Sequence, residues 1–158
     1  MAYQDFTVGY TETDPNGRLT VAANKIMATV LTANETANVL KDFGAGYFGG
    51  DFTHQFECQY SNLNGLFFVH GLENADGTDG TFLDMEAGYG FIFYVSENDA
   101  PLFDTELFGS AASTTYYITL HRDDDGGANS TGQYTLEIRT GSHTGVLQET
   151  LSIDSSAG

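Results

Sequence analysis

Between Asp51 and Tyr60, apolar and polar side chains alternate without a break. Phe52, His54, Phe56, Cys58 and Tyr60 take one phase, and Thr53, Gln55, Glu57 and Gln59 take the other. A two-residue period means an extended strand with one buried and one wet face. The same period returns in Gly132–Thr140, with Tyr134, Leu136 and Ile138 against Gln133, Thr135, Glu137 and Arg139. In Thr114–Arg122, Tyr116, Ile118 and Leu120 alternate with Thr115, Tyr117, Thr119 and His121. The run Asp123 to Asn129 after that strand predicts a hairpin with an acidic tip.

Further strands are expected over Lys25–Leu31, Asn38–Phe43, Leu66–Leu72 and Val146–Ile153. A short helix over Met27–Asn38 is the alternative on composition, disfavoured by β-branched residues and missing caps. Gly88–Val95 is apolar on both phases, which predicts an interior strand covered on each side. Pro101 points to an edge strand or a strand start. The glycine cluster Gly44–Gly50 breaks any helix and sets Tyr47 and Phe48 to plug one end of the core. The tail from Asp154 to Gly158 is polar and expected to fray. About ten or eleven short strands, with turn signals about every 8 to 12 residues, predict an all-β fold. Its architecture is a two-sheet antiparallel β-sandwich, one domain over residues 1–158 with 1–15 and 154–158 peripheral.

Composition changes this picture in three ways. A core rich in the chain's 12 Phe and 9 Tyr is aromatic rather than leucine-packed. The lone Cys58 excludes an internal disulfide and reads as a small buried hydrophobe. Five Lys and Arg against 22 Asp and Glu give a formal charge of −17, which argues against nucleic acid, whose phosphates need clustered cations. No apolar run reaches the ~20 residues of a membrane helix, and the start lacks the charged-then-apolar pattern of a signal segment.

The stretch Lys41–Glu57 resembles one that recurs in concanavalin A-like, laminin-G-like jelly-roll modules, as do Thr114–Asp123 and Thr150–Ile153. Together they place the chain beside modules of environmental bacteriophage proteins. The resemblance implies a jelly roll whose concave face serves glycan binding, glycan cleavage or assembly. Related modules continue past the Thr-Leu-Ser-Ile phrase with a further strand, so this chain is expected to leave a sheet edge open to a partner.

Catalytic templates fail on the residues present. The Glu-x-Asp-x-x-Glu set of jelly-roll glucanases is missing, and the pairs Asp84/Glu86 and Asp104/Glu106 lack a third acid and read as solvated loop residues. The four histidines form no ligand spacing; His54 reads as a hydrogen-bonded core or sheet-edge residue. Calcium is the candidate ion, because hard cations want several oxygens from a flexible loop. Glu73, Asn74, Asp76 and Asp79 offer them, with Asp123–Asn129 and Glu12–Gly17 as weaker loops. For a glycan the candidates are Gln55, Glu57, Gln59, Tyr117, His121, Glu137 and Arg139, provided their strands share a sheet.

The expected function is a non-enzymatic structural or interaction module on a particle surface, a decoration or tail-associated part of a phage virion. It would sit at a virion or extracellular surface and contact other structural proteins or itself. The alternative is a lectin-like carbohydrate-binding module, calcium-assisted or not, and the weaker one a glycoside hydrolase.

Overall fold

The computed structural model describes residues 4–29, 35–44, 47–48, 50–62, 66–74, 79–87, 89–97, 100–103, 108–128 and 132–155, with 66–68 and 100–103 described by backbone alone. The chain divides into two compact units, Met1–Tyr47 and Phe48–Gly158.

In the first unit, β1 (Thr11–Thr13) pairs antiparallel with β4 (Asn38–Leu40), and β2 (Leu19–Ala22) with β3 (Lys25–Ala28). The strand expected over Lys25–Leu31 therefore closes at Ala28, and residues 30–34 lie outside the described set. Asp14 starts the turn before β2, its carboxylate accepting from Arg18 N at 2.8 Å and Leu19 N at 2.7 Å. Tyr47 does not plug a core as expected: it is 58% exposed and stacks on Phe43 at 4.7 Å.

The second unit carries two four-stranded antiparallel sheets. One is ordered β12 (Val146–Asp154), β11 (Gln133–Thr140), β10 (Tyr116–Asp123), β5 (Phe52–Cys58). The other is ordered β6 (Leu66–Glu73), β7 (Gly80–Glu86), β8 (Gly90–Glu97), β9 (Ala100–Phe103). Their inner faces share one core. Leu83, Met85, Phe91, Phe93 and Val95 come from the β6–β9 sheet; Tyr116, Ile118, Leu120, Leu136, Ile138, Leu151 and Ile153 come from the other. The unit is thus an all-β sandwich, as the alternation predicts. The β10–β11 hairpin keeps its expected phase, and Pro101 falls on an edge strand because it has no amide hydrogen to give an inner ladder.

Three expectations are corrected here. Strand β8 is interior to its sheet but not covered on both sides: Phe91, Phe93 and Val95 are buried, whereas Ile92 and Tyr94 are only half-buried on the outer face. Asp84 and Glu86 are not loop residues; they sit on the outer phase of β7 with buried Met85 between them. Of the tail expected to fray, Asp154 and Ser155 are held in place, and residues 156–158 lie outside the described set. Asp154 accepts from Ala128 N at 3.1 Å and Gln133 Nε2 at 2.8 Å, and Ser155 N donates to Gly132 O at 2.9 Å.

Candidate functional site

Tyr116, Ile118 and Leu120 point into the core, so Tyr117, Thr119 and His121 must point the other way. Pairing on both sides of β10 extends that outer face into rows. Glu57, Tyr117 and Arg139 form one row, Gln55, Thr119 and Glu137 the next, and Thr53, His121 and Thr135 a third. Side chains directly opposite on antiparallel strands stand with Cβ atoms about 4.5–5.5 Å apart. The structure thereby brings Gln55, Glu57, Tyr117, His121, Glu137 and Arg139 onto one sheet face. Gln59 lies beyond the end of β5 and donates its amide to Ser113 O at 3.1 Å.

Hydrogen bonds order this face. Gln55 Nε2 donates to Thr119 Oγ1 at 3.2 Å, and His143 Nδ1 stands 3.4 Å from the same hydroxyl. Between them they cover Thr119, which is only 3% exposed although it faces outward. His143 reaches it from the β11–β12 turn and meets the Tyr117 ring edge-on at 5.3 Å. Thr53 Oγ1 lies 3.0 Å from His121 Nδ1. Arg139 is held on two sides, by Glu137 Oε2 at 3.1 Å from Nη2 and by Gly145 O at 3.0 Å from Nη1. Its guanidinium is therefore pre-positioned, although an ion pair this exposed contributes at most about 1 kcal/mol to stability. Glu57 is exposed and stands beside Tyr117. Tyr117 offers an aromatic surface, and the amides, hydroxyls and carboxylates around it offer both donors and acceptors. His143 gives no periodic signal because it sits on the β11–β12 turn, and Thr119 shows in the sequence only as one wet-phase residue until pairing sets it under Gln55 and His143.

Elsewhere the candidate chemistry is thinner. In the β6–β7 loop, Asn74 and Asp79 bond each other, Asn74 Nδ2 to Asp79 Oδ2 at 3.1 Å and Asp79 N to Asn74 Oδ1 at 3.2 Å. Glu73 ends β6 opposite Gly80, and Asp76 lies outside the described residues. On the hairpin tip, Asp124 pairs with Arg122 at 2.6 Å and Asp123 accepts from Asp125 N at 3.2 Å. Among the described residues no three His, Cys, Asp or Glu side chains converge to hold a metal. Cys58 packs against the core, and burial pushes its thiol up to about 12, the state of an unreactive thiol. A recess of about 180 Å³ lined by Tyr60, Glu86, Tyr89 and Ser110 is smaller than the roughly 300–1,000 Å³ of small-molecule sites.

Among the described carboxylates, Asp84 is the one most altered by its surroundings. Burial pushes it up to about 6, against the opposing effect of its hydrogen bond with Tyr94, and Oδ1 has no partner among the described residues. Because this value lies above 3.8, the group favours folding below pH 3.8 and loses that contribution as pH rises through 6. Asp84→Asn should therefore raise stability at pH 8 by about 1 kcal/mol after allowance for solvent screening. Thermal melts should show the gain vanishing at pH 4.

Comparisons with known protein families, with curated proteins and with solved structures return no match.

Proposed function

We propose that this chain is a lectin-like carbohydrate-binding module without enzymatic activity, with its ligand lying along the outer face of the β12–β11–β10–β5 sheet. The observation that carries the reading is the register. All the hydrogen-bonding residues singled out for a glycan, Gln59 apart, fall in adjoining rows around Tyr117. A sugar ring has an apolar face that stacks on an aromatic side chain and a rim of hydroxyls that needs paired donors and acceptors, and this face supplies both. The formal charge of −17 favours neutral over acidic polysaccharide. As part of the same proposal we assign the sandwich to the concanavalin A-like jelly rolls; the long connection from β5 to its neighbour β10 supports a Greek-key crossover of that kind.

A neutral-glycan array, run with and without a chelator, should give at least one binder. Tyr117→Ala should weaken that binder at least tenfold, about 1.4 kcal/mol, with the fold intact by circular dichroism. A loss confined to the chelator arm would assign calcium a part in binding.

A second reading, a structural accessory of a phage virion, is favoured by one observation. Val146 is 68% and Leu147 45% exposed on β12, the outermost strand of its sheet, an arrangement suited to pairing with a partner strand. An array blank in both arms would remove the glycan reading and leave this one.

A further inference from the structure

His54 on β5 and His70 on β6 come from different sheets, yet their Nε2 atoms lie 3.1 Å apart. Phe56 stacks on His70 with ring centroids 4.2 Å apart and planes 12° from parallel, while Phe48 meets His54 edge-on at 6.0 Å. Among the described residues both strands are sheet margins: β5 pairs with β10 alone, and β6 with β7 alone. We propose that the His54–His70 contact is an acid-released latch that fastens β5 to β6 across the sandwich.

A nitrogen-to-nitrogen hydrogen bond of this kind needs one bare Nε2 to accept the Nε2–H of the other ring; a proton on the donor ring keeps the bond but buries a cation among aromatic side chains, which is the costly part. A proton on the acceptor leaves two donors facing each other and a charge among aromatic rings. Burial lowers His70 to about 3, with the neighbouring His54 adding to the effect, and burial lowers His54 as well.

Among the described residues, the groups around the pair give a cation no compensation. Leu120 of β10 lies opposite His54, and Leu83 of β7 opposite His70. Cys58 on β5 is a neutral thiol, Arg122 on β10 is paired with Asp124, and burial raises the Tyr134 phenol on β11. The carboxylates of β6 and β7, Glu73, Asp84 and Glu86, fall on the opposite phase of their sheet from Leu83.

The sign follows from the depressed values. The unfolded or opened chain binds protons below 6.5 while the closed pair stays neutral, so closure is strongest above pH 6.5 and is lost as pH falls toward 3. Since β5 also carries Thr53, Gln55 and Glu57 on its outer side, its release would free a bound glycan in acid; that consequence rests on the function proposed above.

Amide hydrogen exchange on the wild-type chain, corrected for the intrinsic rate, tests the latch. Between pH 6.5 and 4.5, opening of β5 and β6 should grow by up to about tenfold per pH unit for one linked proton, while β11 and β12 hold their protection. Equal loss in every strand, or no loss in β5 and β6, would overturn it. The double variant His54→Phe with His70→Phe should flatten the response if it folds; a retained response would also overturn the latch. Glycan dissociation measured at pH 7 and 5 separates the two ideas. Acid opening without any glycan binding removes the function and keeps the latch, and binding without acid opening does the reverse.

Discussion

Gly90→Ala should destabilise the Phe48–Gly158 unit by more than about 3 kcal/mol, adding a steric clash to the roughly 1–3 kcal/mol of a strained backbone. Gly90 opens β8 with φ of +90°, a conformation that L side chains rarely adopt, and a Cβ there would run into the carbonyl oxygen of Phe108 and lie 2.8 Å from Ser110 N. That carbonyl cannot retreat freely, because it accepts from Phe91 N at 3.1 Å. Gly141 is the control: its φ is +85° but a Cβ would meet nothing within 4 Å. Gly141→Ala should cost only about 1 kcal/mol, the strain alone. Urea unfolding of both variants measures the difference, and equal midpoints would mean that the Phe108 carbonyl does not crowd Gly90.

Phe91→Ala should cost about 3–5 kcal/mol. The ring is 0% exposed and touches both layers of the core, edge-on to Tyr116 at 5.2 Å and parallel to Phe108 at 6.2 Å. Deleting it removes apolar contact area and opens a cavity under Tyr116, whose hydroxyl accepts from Ala111 N at 2.6 Å. That bond ties Tyr116 in place, so it cannot move far into the void. A domain of this size is stable by only about 5–15 kcal/mol, so the variant should lose roughly a fifth or more of its stability. Phe91→Leu should lose less than half as much, and the two denaturation midpoints check the ranking.

Strand phase was legible wherever a single sheet face meets the core. Tyr116, Ile118 and Leu120 are buried and Leu136 and Ile138 likewise, as their alternation requires. Neighbour order was not legible, because β5 pairs with β10 across more than fifty intervening residues and nothing local records that choice. Within β6 the phase itself slips: the register shifts between Phe68 and His70, so the bulge places His70 opposite buried Leu83, where simple alternation along Leu66–Leu72 could not predict it. The His54–His70 contact was invisible for both reasons. The candidate face was half legible. Its polar residues are visible as the wet phases of three strands, while their rows, and the turn that carries His143 over Thr119, depend on pairing and on a long-range hydrogen bond.

In the proposed module the ligand lies along the outward rows around Tyr117. Backbone amide shifts recorded while a neutral oligosaccharide from the array is titrated in test it most directly. Perturbations centred on Gln55, Glu57, Tyr117, Glu137 and Arg139, with β6 to β9 silent, are the predicted result; a bound sugar that leaves those amides unmoved and perturbs the other sheet would contradict it.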